Sequence, residues 1–335
     1  METPDLLPDL AGRGELVRRY AHLLHHFGKE IGCRPLVRQN SEFFPDRFDK
    51  DAPSVERLVR RLQTHTGLLD VPLRVRLVPL ELAEAGTNAS KGCGSGACGT
   101  GCGTPEVSEE GTIARLEEAA SGWTLNVFDA ELHHPVALTT QLALALAEVF
   151  LAETSSAQAP VEAPRGVSRD LACVALGLGS LVLEGSYIYS KSCGGPSVTR
   201  LTELSVGELA IAQSLFIAIG RQSRRFSGRG ALSELGTTQR ALLGEANDWA
   251  ASNSALVAQL VADPGQLATR APQVQEARPW LLRVFERSPK PAASAPEWKH
   301  DELPELELPA QPRARAPRTR EQQELAALVE EALRN

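Results

Sequence analysis

The sequence predicts an α+β fold rich in helix, and three observations carry that expectation. Residues Pro135 to Glu153, PVALTTQLALALAEVFLAE, form a long apolar run opened by proline and free of internal glycine. Proline suits the first position of a helix, and a helix apolar on all sides needs neighbours around most of its circumference. The stretches Leu73 to Leu80 and Trp123 to Phe128 alternate apolar and polar residues, which is the period of half-exposed strands. Several further segments carry apolar residues at helical spacing, so a small sheet packed on a buried central helix is the expected architecture.

With 335 residues and 42% hydrophobic composition, the chain can bury a large core. A net charge of −7 leaves no broad excess of Lys and Arg to neutralise phosphates, which argues against general nucleic-acid binding. The opening METPDLLPDL has neither a basic nor an apolar region of the secretory kind. The central run is broken by Thr139, Thr140, Gln141 and Glu148 and is short for a span, so it reads as core rather than membrane. Six cysteines are too few for a disulfide scaffold in a chain this long, and three of them share one loop. That usage suits a reducing compartment, and the cytoplasm is the expected location.

From the N-terminus, a short Pro- and Gly-bearing lead precedes a helix predicted over Glu15 to Lys29. Its Leu16, Val17, Tyr20, Leu23, Leu24 and Phe27 share one side. His22 and His26 stand one turn apart on it, with His25 beside them. That is ligand spacing, and also the spacing of a solvated or core-edge pair. An extended piece and an aromatic cluster of Phe43, Phe44 and Phe48 follow. A helix comes next over Pro53 to Thr66, with Asp51 placed to cap it.

Between the two strands lies Asn88 to Glu106, NASKGCGSGACGTGCGTPE. Glycines let backbone wrap closely around a small object, and the thiolates of Cys93, Cys98 and Cys102 would supply most of a tetrahedral site for zinc or an iron-sulfur cluster. A thiol-redox role and a plain Gly-rich insertion are the other two expectations for this loop. A fourth ligand could come from His133, His134, Cys33 or Cys193, and the sequence does not choose among them.

After the central helix, Ser155 to Arg165 is a loop rich in Ala, Ser and Pro. Asp170 then opens a helix predicted to run through DLACVALGLGSLVLEGSYIY, where Gly177 and Gly179 allow close packing. Ser205 and Glu208 form a capping box ahead of LAIAQSLFIAIG, with Gly220 as its close. A basic turn, RQSRRFSGRG, reads as solvated surface. Helices are predicted from Thr237 or Thr238 to about Ala250 and over Asn253 to Val261. Past Arg287, prolines, the acidic DELPELEL and the basic PRARAPRTR indicate a disordered linker over 286–320. A short amphipathic helix is predicted over 321–335, with Leu325, Leu328, Val329 and Leu333 on one face. It is marginal alone and therefore expected to dock on its own domain or on a partner.

Written as ALTTQLALALAEVFLAE, the central run resembles the active helix of zincin-type metallopeptidases, where H-E-x-x-H lies inside L-x-x-x-L-A-H-E-L-A-H-V-L-L. On that frame the two histidines fall on Leu144 and Glu148, and the general-base glutamate on Ala145. The phrase Asn40-Ser41-Glu42-Phe43-Phe44-Pro45-Asp46-Arg47-Phe48-Asp49 resembles the P-x-x-E-F-F-P-D-x-[FY]-D of a bacterial family of such proteins, and the preferred reading of its phenylalanines is that they seal the core. Asp170 matches the aspartate of that family's E-x-x-x-D-L, and the ligand glutamate falls on Gly166.

The resemblance implies a zincin-like domain whose metal-binding and catalytic residues are lost, with Asp170 left as a helix cap. It further implies that the strand before the active helix, with Trp123, Leu125 and Val127, is a substrate edge able to bind an extended peptide by strand addition. The expectation is thus a domain over residues 10–285 acting as a binding or scaffold module for a peptide or protein partner. The alternative is a metal-binding or thiol-redox protein acting through Cys93, Cys98 and Cys102.

Overall fold

The computed structural model describes residues 6–28, 31, 34–79, 114–154, 164–192, 195–223, 230, 232–270 and 272–277, with backbone alone at 190–192, 195 and 196. The chain divides into two units, residues 1–287 and 288–335, and every described residue belongs to the first. The predicted linker 286–320, the helix 321–335 and the loop 88–106 lie outside the described residues.

The first unit is α+β. Helix α1 spans Leu10–Phe27 and starts earlier than the apolar stripe suggests, because Asp9 caps it by accepting the Gly12 N–H at 2.7 Å. Helix α2, Ala52–Thr66, is capped by Asp51, which accepts the Ser54 N–H at 2.9 Å. Strands β1 (Leu73–Val78), β2 (Leu116–Ala119) and β3 (Gly122–Phe128) form a sheet in the order β1-β3-β2. Parallel β1 sets Val78 opposite Phe128, while antiparallel β2 sets Leu116 opposite Leu125. Asn126, buried in the middle strand, ties all three together. Its oxygen accepts from Arg76 at 2.7 Å, and its amide donates to Ala114 O and Glu117 at 2.6 and 2.7 Å.

This sheet order corrects the substrate edge expected at Trp123, Leu125 and Val127. Their strand is central and paired on both sides, so no free backbone is left there for strand addition. Leu125 and Val127 are fully buried, and Trp123 spends its indole N–H on Glu153 at 2.6 Å. Strand β2, LEEA, was invisible in the sequence because it is four residues long and mostly polar.

After a 3₁₀ turn at Asp129–His133, helix α3 runs over Pro135–Thr154. By length and composition it could cross a membrane, but more than half of its most apolar window is buried inside the fold. It packs against α4 (Arg165–Ala175), α5 (Gly179–Gly185), α2 and β3. Thr140, within the apolar run, is buried and donates to Leu181 O at 2.9 Å, so its hydroxyl carries no desolvation penalty. A Cβ on Gly185 would sit 2.3 Å from the same threonine, so α3 and α5 approach closely only because that residue is glycine.

The single helix expected from Asp170 to Tyr189 is corrected to two helices and a strand. Gly177, at φ +85° and with its missing Cβ aimed 2.0 Å from Pro35 O, breaks it. A hairpin follows, β4 (Ile188–Ser192) and β5 (Gly195–Thr199). Helix α6, Val206–Gln222, carries the predicted capping box at Ser205 and Glu208 but runs on past Gly220. Helices α7 (Thr237–Ser252), α8 (Ser254–Ala262) and α9 (Pro264–Thr269) complete the described part.

Candidate functional site

The positions that the zincin resemblance assigns to chemistry lie along the middle of α3. Leu144 and Ala145 are 3% and 2% exposed and belong to the hydrophobic core. Glu148 lies one turn on, at the flank of the core, and its carboxylate pairs with Arg165. On Gly166, a Cβ would lie 3.1 Å from the Cβ of Glu203, so a longer side chain needs Glu203 to shift. These residues do not fit zinc, since aliphatic side chains offer it no lone pair and a guanidinium already holds the one carboxylate. Among the described residues, no three His, Cys, Asp or Glu gather as a ligand set.

Asp170 lies inside α4 and does not cap its own helix, which corrects the sequence expectation. It is fully buried, and one oxygen accepts the N–H groups of Glu203 and Leu204 at 2.7 and 2.8 Å, while Arg169 faces the other at 3.3 Å. Its carboxylate therefore fixes the turn that leads into α6. Burial raises its pKa, against the lowering effect of those two N–H groups and of Arg169. Cys173, one turn further, is fully buried with its thiol against Ala143 O at 3.3 Å. Burial holds that thiol well above the ordinary range, which makes it a poor nucleophile.

Five of the histidines fall into two groups. His22 and His26 stack with ring centroids 6.2 Å apart, and His25 is exposed on the same helix. His133 and His134 are both exposed where β3 turns into α3, with His133 Nδ1 facing Lys50 Nζ at 3.3 Å. Cys33, Cys93, Cys98, Cys102 and Cys193 lie outside the described residues. Both described flanks of residues 80–113 meet the sheet at this same end. Pro79 follows Val78, which lies opposite Phe128, and Arg115 O accepts the Asn126 N–H at 2.9 Å.

A cleft of about 420 Å³ opens between the Gln39–Phe48 loop, α2 and the first turn of α3. The loop is shaped by Asn40, whose side-chain oxygen accepts from Glu42 and Phe43 N–H at 3.1 and 3.3 Å and whose amide donates to Glu234 at 2.7 Å. That turn lays Phe43 and Phe44 edge-on to His65, with ring centroids 5.2 and 6.4 Å away. Asp46 takes Arg61 in a two-pronged pair at 2.8 and 3.4 Å, which closes the loop over α2 and holds the Asp46 carboxyl below its ordinary pKa.

Beyond that pair, Asp49 donates its N–H to Ser54 Oγ at 3.1 Å, and Lys50 takes a left-handed φ of 58° that carries the chain round into α2. The floor is apolar, made by Phe44, Leu58, Pro135 and Leu138, and Phe48 stands at the mouth 37% exposed. An apolar concavity of this size with a few polar groups at its wall is the form small-ligand and peptide-side-chain sites take. Phe43 and Phe44 pack against the core as expected, and Phe44 and Phe48 also line the cleft. Gln39, Leu58, Arg61 and Thr139, which complete the cleft, carry no local sequence signal of it.

Comparison of the chain with protein-family models, with curated proteins and with solved structures finds no match in any of the three.

Proposed function

We propose that the chain is a non-catalytic binding module on a zincin-like frame, and that it takes a peptide or protein segment in the cleft beside the start of α3. The contrast along that helix carries the proposal: its middle, where metal chemistry would stand, is packed core, while its first turn lines the concavity. Main-chain and apolar contacts need no metal to hold a peptide. The test is capture on an array of short apolar peptides, comparing wild type with Phe48→Ala and Thr139→Trp. Support is a defined peptide set held intact and weakened about tenfold or more by either change, the loss expected when a buried aromatic contact goes. Chelator-sensitive cleavage of those peptides, or capture indifferent to both substitutions, contradicts it.

A second reading has its own observation. Both flanks of the segment bearing Cys93, Cys98 and Cys102 emerge at the end of the sheet where His133 and His134 stand exposed. These histidines are therefore the described candidates for the complement to three thiolates around zinc or an iron-sulfur cluster. Protein purified without oxygen should then carry about one zinc or iron-sulfur centre per chain, reduced in Cys98→Ser and in a His133→Ala/His134→Ala double variant. Metal-free protein overturns this reading and leaves the first intact.

A further inference from the structure

We infer that the cleft selects a neutral apolar residue presented together with its main-chain carbonyl, and that Gln39 is the residue that reads the carbonyl. This rests on the binding role proposed above and specifies its ligand. The floor of Phe44, Leu58 and Leu138, with Phe48 at the mouth, provides for an aromatic or aliphatic side chain. The volume, about 420 Å³, suits one or two residues of a peptide.

Both arginines of the wall already have a carboxylate partner, Arg61 in Asp46 and Arg47 in Asp49 just outside the cleft. A charged ligand at either arginine or at Asp46 competes with a pair already formed, an exposed one of modest strength. A neutral ligand disturbs neither.

The polar groups of the wall are almost all engaged. Ser54 Oγ accepts from Asp49 and from Arg57, Thr139 Oγ1 donates to Pro135 O, and the Asn40 amide donates to Glu234. Two groups are left: the hydroxyl of Ser41, which is exposed to solvent, and Gln39, whose Nε2 is buried without a hydrogen-bond partner. A buried donor left unpaired is unfavourable, and an acceptor arriving with the ligand removes the penalty. As placed, Nε2 is closed off from solvent, and the broad terminal torsion of glutamine is the freedom by which the amide would turn to a ligand in the cleft. Gln39 has a donor to offer, and a peptide carbonyl beside an apolar side chain is the complement.

The experiment uses the full chain, ¹⁵N-labelled, titrated with three probes that share one ring. They are N-acetyl-phenylalanine methylamide, which is neutral with carbonyls, N-acetyl-phenylalanine, which is anionic, and phenethylammonium, which is cationic with donors only. The neutral probe should shift the amides of Phe44, Phe48 and Leu138 and bind about tenfold tighter than phenethylammonium, which brings Gln39 no acceptor, the scale of one well-made hydrogen bond in a dry site. Gln39→Glu should reverse the order in favour of phenethylammonium. Gln39→Met should lose the preference while keeping its thermal midpoint, which serves if the glutamate variant fails to fold. Equal binding of the neutral probe and phenethylammonium, or an unchanged order in both variants, overturns the inference and leaves the cleft as a binding site. No shift at those amides with any probe overturns the cleft reading as well.

Discussion

Over Pro135–Thr139, helix α3 borders a cleft, whereas from Leu142 to Ala147 every residue is buried. The two stretches share one helix and one apolar composition, and their surroundings differ. At the start, the loop from Asn40 to Lys50 is held off the helix by its own turn and by the Asp46–Arg61 pair, which leaves space. In the middle, α4 and α5 press directly on the helix, down to the contact between Gly185 and Thr140. What a helix can do chemically is thus set by what stands against each turn.

The largest effect comes from forcing zincin ligands into the sealed stretch. Leu144→His/Ala145→Glu/Glu148→His buries a carboxylate and an imidazole among aliphatic neighbours, a cost on the order of 5 kcal/mol or more. That consumes most of a domain's stability. Urea denaturation should show loss of the cooperative transition and no rescue by zinc; a stable, zinc-binding variant would erase the distinction between the two stretches.

Asp170→Ala strands the N–H groups of Glu203 and Leu204, and should cost about 2–4 kcal/mol as two buried donors lose a charged acceptor. Its titration has a definite sign. Burial raises the folded pKa above the unfolded value, so the folded state favours the protonated acid. The stability that titration contributes is present below the ordinary carboxylate range and is lost as pH rises through the raised value. Wild-type stability measured relative to Asp170→Asn should therefore fall as pH rises across that window; a rise would reverse the assigned shift.

At the open end, substitutions should separate binding from folding. Phe48→Ala removes a ring that is 37% exposed and should cost no more than about 1 kcal/mol of stability, while weakening peptide capture about tenfold. The smallest effect is Glu148→Ala. Its partner Arg165 is 80% exposed, and such pairs contribute about 0–1 kcal/mol. Denaturation midpoint and peptide capture should both stay close to wild type.

Sequence alone revealed those parts whose signals are local. The Asp51 cap, the capping box at Ser205 and Glu208 and the apolar run of α3 each report on a few consecutive residues, and each is found where expected. The failures are non-local. Nothing in Trp123–Phe128 tells whether it lies at an edge or in the centre of a sheet, because that depends on β1 and β2. The break at Gly177 is fixed by the approach of Pro35, and Ile188 and Tyr189, at the end of the expected helix, are drawn into strand by their pairing with Thr199 and Val198. The cleft joins Gln39, Leu58 and Leu138 from three separate segments, so its residues acquire meaning only once folded.

The most direct test is one amide chemical-shift map of the full chain, recorded with zinc and then with a captured apolar peptide. Zinc should leave Leu144, Ala145 and Glu148 unmoved, and the peptide should shift Leu138, Thr139 and Phe48. Zinc-dependent shifts centred on Leu144–Glu148, with a stoichiometric divalent ion bound there, would contradict the account.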